Sequence, residues 1–290
     1  GGVMSAETPV QASEPVVRQW RGAANMVDAR KVRKRGAWYV AEYRLLNMSK
    51  WWAAIVAFGL GNPVLYLASI GIGIGSLIDS NSGGIDGVSY LAFLAPALLA
   101  SAAIQTVMDE VMFPTMEGFV WSKIFFSMNS TGLTGRQIAR GVMIAAMLRS
   151  VATVLVYWLV LALFGAVELG SGLAPMTAAV FCGWSVGAVM LAVSARIKND
   201  DNFFAIIGRF IIAPMFMFSG TYYPLDALPT ALQWVGWVSP LWHATDIGRV
   251  LMYGREISPA LFTVHFGYLL VLGLLGSYLA ERQYTKRLAE

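Results

Sequence analysis

Apolar residues in this chain come in long unbroken runs rather than in alternation, a pattern that predicts helices crossing a bilayer. A hydrocarbon core about 30 Å thick takes roughly 20 apolar residues at 1.5 Å rise each. Six stretches meet or approach that length: about 51–78, 88–108, 141–166, 175–193, 203–218 and 261–280, the fifth being short. The first contains Asn62-Pro63, which predicts a kink. Upstream of it the period changes. Trp38, Ala41, Leu45, Met48 and Trp52 recur every three or four residues, with Arg44, Asn47 and Lys50 on or near the other side. This predicts an amphipathic interfacial helix over 36–50, setting Trp38, Tyr39, Tyr43 and Arg44 in the headgroup region.

The connection between the fifth and sixth runs is too apolar for a solvated loop and too broken by Pro224, Pro229 and Pro240 for a span. Two short helices that dip into the membrane and return satisfy both facts, provided protein covers the broken backbone. The predicted fold is therefore an all-α membrane protein: six transmembrane helices, an N-terminal amphipathic helix, and a re-entrant helical hairpin between spans five and six. Tyr222, Tyr223, Pro224, Pro229, Trp234, Pro240, His243, Asp246 and Arg249 make up the re-entrant exit region. Beyond Pro240, His243, Asp246, Arg249 and Tyr253 fall at spacings of three, three and four, on the face opposite Leu241, Ala244, Ile247 and Leu251. Two readings stand: a helix at the outer headgroup boundary with Asp246 and Arg249 as a surface pair, or a polar stripe on an exit path.

Composition agrees with a lipid solvent. The chain is 57% hydrophobic and 13% charged, with a mean hydropathy of +0.60; soluble domains carry about 25% charged residues. Ten Trp and 11 Tyr suit interfacial aromatic belts. A single cysteine, Cys182, excludes an intrachain disulfide and a thiolate metal cage. Of 21 Lys and Arg, nine precede residue 51, four lie in 110–149, three in 196–209 and three at the C-terminus. The connections 79–87 and 167–174 carry none, and Arg249 and Arg255 alone fall on their side. Basic residues mark the cytoplasmic face, so both termini are expected inside a multi-pass plasma-membrane protein, the cell inner membrane. Residues 1–35 read as a disordered basic cytoplasmic tail ending in the cluster Arg30, Lys31, Arg33, Lys34 and Arg35, and 285–290 as a short cytoplasmic tail. No signal-peptide core precedes the first span, which is expected to drive insertion. The Arg30–Arg35 cluster suits anionic headgroups or a topology signal.

Ionisable residues inside spans are costly unless paired. Asp109, Glu110, Arg149 and Arg209 are the candidates, all toward the basic side. Arg149 or Arg209 is expected to pair with Asp109, Glu110 or Glu117 as a gate or a rigid link; the competing reading has the arginines snorkel to the interface. Gly71/Gly75 and Gly183/Gly187 are small-xxx-small pairs that permit close helix approach. Phe210, Met215, Met217, Phe218, Tyr222 and Tyr223 either line a path for amphipathic cargo or face lipid and core.

The stretch 117–140 reads as a short amphipathic helix, a small polar turn, then Gly135-Arg136-x-x-x-Arg140 leading into the next run. That shape suits docking of a soluble partner or an interfacial loop helix. With the six-run layout and the string Phe218-Ser-Gly-Thr-Tyr-Tyr-Pro-Leu…Leu-Pro…Leu-Gln-Trp…Ser-Pro-Leu-Trp-His-Ala, the chain resembles permeases of the ABC type-2 exporter family over about 38–285. Its nearest flavour is the branch exporting nodulation-type lipo-oligosaccharides, drugs and polysaccharides. The resemblance implies a second permease copy or homologue, two copies of a cytoplasmic ABC ATPase, membrane lipids as partners, and no nucleic acid. It also implies a coupling helix over Glu117–Met128, with Glu117, Phe119, Trp121, Lys123, Phe125, Met128 and Arg136 facing the ATPase, and a dimer surface on spans five and one.

No G-x-x-x-x-G-K-[ST] phosphate cradle occurs, and Gly71-Ile-Gly-Ile-Gly75 lacks its lysine. An apolar chain has no room for an ATPase domain, so ATP and Mg are expected on the partner and no cofactor in this chain. Catalytic and metal residues are expected to be none: His243 and His265 are the only histidines, without an H-E-x-x-H or G-x-S-x-G motif. The function implied is a permease moving a lipid-linked glycan, lipid or hydrophobic drug outward. Its rivals are an ion-coupled secondary transporter, which would show inverted repeats, and an intramembrane lipid-modifying enzyme built on His243 and Asp246.

Overall fold

The computed structural model describes residues 28–199 and 202–290, and among these the fold is all-helical. Asp28 opens α1 (Ala29–Ser49): its carboxylate accepts from the Arg30 and Lys31 amides at 2.9 and 3.4 Å, satisfying donors that a helix start leaves free. The basic cluster Arg30–Arg35 is thus helical, which corrects the reading of 28–35 as disordered tail; residues 1–27 lie outside the described residues. The helix packs by its small-residue face. Gly36 faces Gln137 and Leu133, and Val40 sits against Gly141, where a Cβ on either glycine would collide. Trp38 and Tyr39 stay exposed, and Tyr43 is half-buried.

The first span is one rod of α2 (Trp52–Ala68), a π turn (Ser69–Ile74) and α3 (Gly75–Ser82). Helical backbone runs on through Asn62 and Pro63, the site of the expected kink, whose side chains lie outside the described residues. A left-handed Gly83 at φ 70° ends the rod. Next come α4 (Tyr90–Met116), a π turn (Glu117–Trp121), α5 (Ile124–Ser130), α6 (Gly135–Leu163) and α7 (Ala174–Ser194). After them stand α8 (Phe203–Ile207), a π turn (Gly208–Ile212), α9 (Ala213–Phe218), α10 (Thr230–Val238), α11 (Pro240–Tyr253) and α12 (Pro259–Leu288).

Among the described residues five helices are long and apolar enough to cross a membrane: Val64–Ser82, Tyr90–Trp121, Gly135–Leu163, Ala174–Ser194 and Pro259–Leu288. Phe203–Phe218 is apolar but shorter, about 24 Å at helical rise. It nonetheless carries the chain from the end of α7, where Lys198 meets Glu290, to Tyr222, beside the start of α4.

Several boundaries move. The second span continues past residue 108 to Met116, because Glu110 is neutralised rather than solvated. The third begins at Gly135, where Thr134 and Gln137 form a capping box. Residues 285–288, read as tail, are the last turn of α12.

α4 is the buried axis, with α7, α6 and α11 around it. Gly183 meets Ala103 and Val107 at 3.2–3.3 Å from a built Cβ, and Gly187 abuts Val107. This small-xxx-small pair is therefore occupied by α4 of the same chain. On α12, Gly273 lies under the Trp184 ring and Gly276 against the Ala188–Val189 backbone. By contrast, α2–α3 and α8–α9 bury little: Ile72 and Phe210 are 73% and 74% exposed.

Candidate functional site

At the basic end, Glu110 on α4 is 7% exposed and held between two arginines. Arg44 Nη2 of α1 lies 3.3 Å from Oε2, and Arg149 of α6 donates to Oε1. Arg44 Nη1 also stands 3.6 Å from Glu117 Oε2. Two acids and two bases make a formally neutral cluster, and neutralising the buried Glu110 leaves the arginines under-compensated at a cost of about 3–5 kcal/mol. The cluster ties α1, α4, α6 and the Glu117 turn together. Asp109 stays outside it, accepting from Gln105 at 3.2 Å. Arg209 is exposed and forms no ion pair among the described residues.

The residues expected to face an ATPase divide into two sets. Lys123 adopts a left-handed conformation (φ 57°) that turns the chain from the π turn into α5. This fold-back buries Phe119 and Phe125 around Tyr284 of α12, with ring centroids 4.9 and 5.5 Å from it. Gly118 lies directly under the Phe125 ring. Tyr284 Oη meets Thr115 Oγ1 at 2.6 Å. Arg287, 4.7 Å over the Phe119 ring, donates to the Ala195 and Ile197 carbonyls at 2.9 and 2.7 Å. Phe119 and Phe125 are therefore core, a correction to their placement on a docking surface. Trp121, Lys123 and Arg136 are exposed, with Glu117 and Met128 half-exposed.

The opposite end is organised by α11, and three of the four residues of its stripe, His243, Asp246 and Arg249, are buried, which overturns the surface-pair reading; Tyr253 is half-buried. Arg249, 1% exposed, donates to the carbonyls of Phe93 (3.3 Å), Gly220 (2.9 Å) and Thr221 (3.4 Å), its guanidinium 3.7 Å from the Phe93 ring centre. Asp246 pairs with Arg255 at 2.5 Å and with His265 Nε2 at 3.0 Å. His265 Nδ1 lies 2.6 Å from His243 Nδ1, and His243 Nε2 lies 2.8 Å from the Trp237 carbonyl.

This chain of contacts fixes its protons. A carbonyl only accepts, so His243 Nε2 carries hydrogen; the Asp246 carboxylate only accepts, so His265 Nε2 does too. Tyr268 stacks on His243 at 4.1 Å, and Tyr253 donates to Asp86 at 2.9 Å.

The remaining exit residues are structural or exposed. Tyr223 donates to the Met217 carbonyl, Pro229 precedes α10, Pro240 opens α11, and Trp234 is exposed. Pro224 precedes a short 3-10 turn, Leu225–Ala227. Of the proposed cargo-facing residues, Phe210 and Met217 are exposed and Met215 is buried. Phe216 and Tyr222 line a cavity of about 570 Å³ between α2, α4, α6 and α9, with Tyr66, Tyr157, Ser101 and Gln105 supplying polar groups over a leucine floor. Tyr66 donates to the Tyr222 hydroxyl at 3.1 Å, and Tyr90 to the Tyr222 carbonyl at 2.7 Å. Sequence reading missed Tyr66, Tyr157 and Gln105; the available signal was a polar group inside each of three apolar runs.

The family model described as ABC-2 type transporter matches residues 36–253. The chain belongs to the ABC-2 type transporter family. It is 29% identical over 247 residues to Nodulation protein J of Rhizobium leguminosarum bv. viciae, covering 83% of this chain and 93% of that protein. It is 27% identical over 246 residues to Nodulation protein J of Rhizobium meliloti (strain 1021), covering 83% and 91%. Against the Inner membrane transport permease YadH of Escherichia coli (strain K12) it is 23% identical over 218 residues, covering 72% and 80%. This ABC-2 permease is accordingly a multi-pass membrane transport protein, a transmembrane subunit rather than the ATPase.

Proposed function

We propose that this permease is the membrane half of an ATP-driven exporter that moves a lipid-linked glycan, lipid or hydrophobic drug outward from the cytoplasm or inner leaflet. Two cytoplasmic ATPase subunits supply the free energy, ATP and Mg being bound there, and a second permease copy or homologue completes the path. The basic end faces the cytoplasm with both termini, following the positive-inside rule. The observation that carries this reading is the Glu110 cluster. It joins the Glu117 turn, which carries the exposed Trp121, to α1, α6 and the buried axis α4, so a push on that surface is transmitted as a movement of packed helices rather than absorbed in a loop. The cavity lined by Tyr66, Tyr157 and Tyr222 offers aromatic faces and hydroxyls beside apolar wall, a lining suited to amphipathic cargo. The loosely packed α2–α3 and α8–α9 supply the surface for the second permease.

The test is ATPase activity in nanodiscs, for the permease alone and then co-expressed with its genomic neighbours. Activity only with a co-purifying ATPase, reduced by Trp121→Ala and Lys123→Ala, supports the reading. An ATPase that never co-purifies overturns it.

A proton-coupled reading has one observation in its favour, the buried His243–His265–Asp246 chain. Transport driven by a pH gradient without nucleotide would select it.

A further inference from the structure

Two cavities at the basic end meet at one side chain. The first, about 530 Å³, lies between α1 and α6 and is lined by Arg33, Thr131, Thr134, Arg136 and Arg140. The second, about 350 Å³, is an apolar groove between α6, α7 and α12, lined by Met143, Ile144, Trp184, Leu191 and Leu274 below Arg140 and Glu281. Arg140 belongs to both.

The polar chamber is prebuilt. Gln137 donates to the Val32 and Arg33 carbonyls at 2.9 and 3.1 Å, locking α1 to α6. Among the described residues Glu281 is the only acid lining either cavity, and it is shared: Arg136 Nε stands 3.3 Å from Oε2 while Arg140 binds Oε1. Three guanidiniums against one carboxylate leave two positive charges in excess. From Glu281 the groove runs seven residues along α12 to Leu274, about 10 Å at helical rise. Gly273 lets the Trp184 ring lie flat on α12 at that end. The bordering side chains Leu148, Leu275 and Tyr278 are exposed on the bundle's outer surface.

We propose that this pair of cavities binds one anionic phospholipid of the inner leaflet, phosphate in the arginine chamber and one acyl chain in the groove between Met143, Trp184 and Leu274. Charge complementarity selects an anion, and the groove continuing beneath it selects an anion with a hydrocarbon tail. The site lies away from the Tyr66–Tyr157–Tyr222 cavity. The inference rests on the membrane orientation proposed above but not on the cargo or the ATPase.

The experiment is lipid retention by the full chain, purified with any co-purifying partner from membranes and measured by native mass spectrometry against phosphatidylglycerol and phosphatidylcholine. Each juxtamembrane arginine contributes about fivefold toward an anionic headgroup. Arg136→Ala with Arg140→Ala should therefore cut selective retention of phosphatidylglycerol roughly 30-fold. Arg136→Lys with Arg140→Lys should keep most of it, and serves as the folding control. Ile144→Trp should displace the lipid with all charges intact. Inorganic phosphate that stabilises the protein in phosphatidylcholine as fully as phosphatidylglycerol does would overturn the lipid reading in favour of a free anion. Unchanged phosphatidylglycerol retention in the double alanine variant, with loss of the ATPase, would assign the arginines to a protein contact and also overturn it. A missing ATPase with intact, arginine-dependent lipid selectivity would sink the exporter reading and leave this one standing.

Discussion

His243 and His265 meet nitrogen to nitrogen, their Nδ1 atoms 2.6 Å apart in a buried chain that runs from the Trp237 carbonyl to Asp246. The contact joins α11 to α12. His265→Ala should leave Asp246 with Arg255 alone and His243 with the Trp237 carbonyl alone, and cost about 1–3 kcal/mol in stability. Thermal unfolding in detergent micelles reads it. His243→Ala with His265→Ala should cost less than the two single changes together, and strict additivity would show that the two rings are not coupled.

Glu110→Gln removes the charge on which Arg44 and Arg149 converge. The expected loss is about 3–5 kcal/mol, because the Arg44 and Arg149 guanidiniums are left converging on a neutral amide with only the half-exposed Glu117 carboxylate to offset them. Glu110→Leu combined with Arg149→Met should recover part of it. A Glu110→Gln variant as stable as the parent would mean that the cluster is solvated.

Arg249→Lys should behave almost as badly as Arg249→Met. The guanidinium reaches three carbonyls on two segments, Phe93 and Gly220–Thr221, while lying over a ring, a fork that a single ammonium cannot reproduce. Limited proteolysis should show cleavage rising within 219–230 in both variants. Protection by lysine equal to that by arginine would reduce the role of Arg249 to charge alone.

Gly273→Val drives a side chain into the Trp184 ring. The expected cost is about 1–3 kcal/mol by overpacking, relieved when Trp184→Ala is added. Failure of the second change to rescue the first in a thermal scan would place the strain elsewhere.

Tyr157→Ala should weaken stimulation of partner ATPase activity by amphipathic cargo, while Tyr157→Phe keeps the aromatic face and most of the effect. Equal loss in both would put the weight on the hydroxyl.

What could be read from the chain, and what could not, follows from range. The apolar runs were legible because lipid imposes length and composition on each helix separately. The ends were not. Asp109 and Glu110 read as the water boundary, yet Arg44, 66 positions upstream of Glu110, reaches it and lets α4 continue. Asp28 as an N-cap was a local signal for the start of α1, overlooked beneath the charge cluster that follows. Phe119 and Phe125 read as an exposed amphipathic face because nothing nearby in sequence foretells Tyr284, which covers them from the far end of the chain. The stripe on α11 had the right spacing and the wrong surroundings: its partners Phe93, Gly220 and His265 come from three other segments.

The π turns at Ser69–Ile74, Glu117–Trp121 and Gly208–Ile212 have a mechanical meaning. Each winds one residue more than an α turn, and moving that surplus along the rod rotates the residues it passes by about 100° with a shift of about 1.5 Å. Two of the three sit in α2–α3 and α8–α9, the rods least gripped by the rest of the bundle, and the third stands between the Glu110 cluster and α5. These rods can thus turn different side chains toward a neighbour without unwinding, like gears whose slack was cut into the teeth.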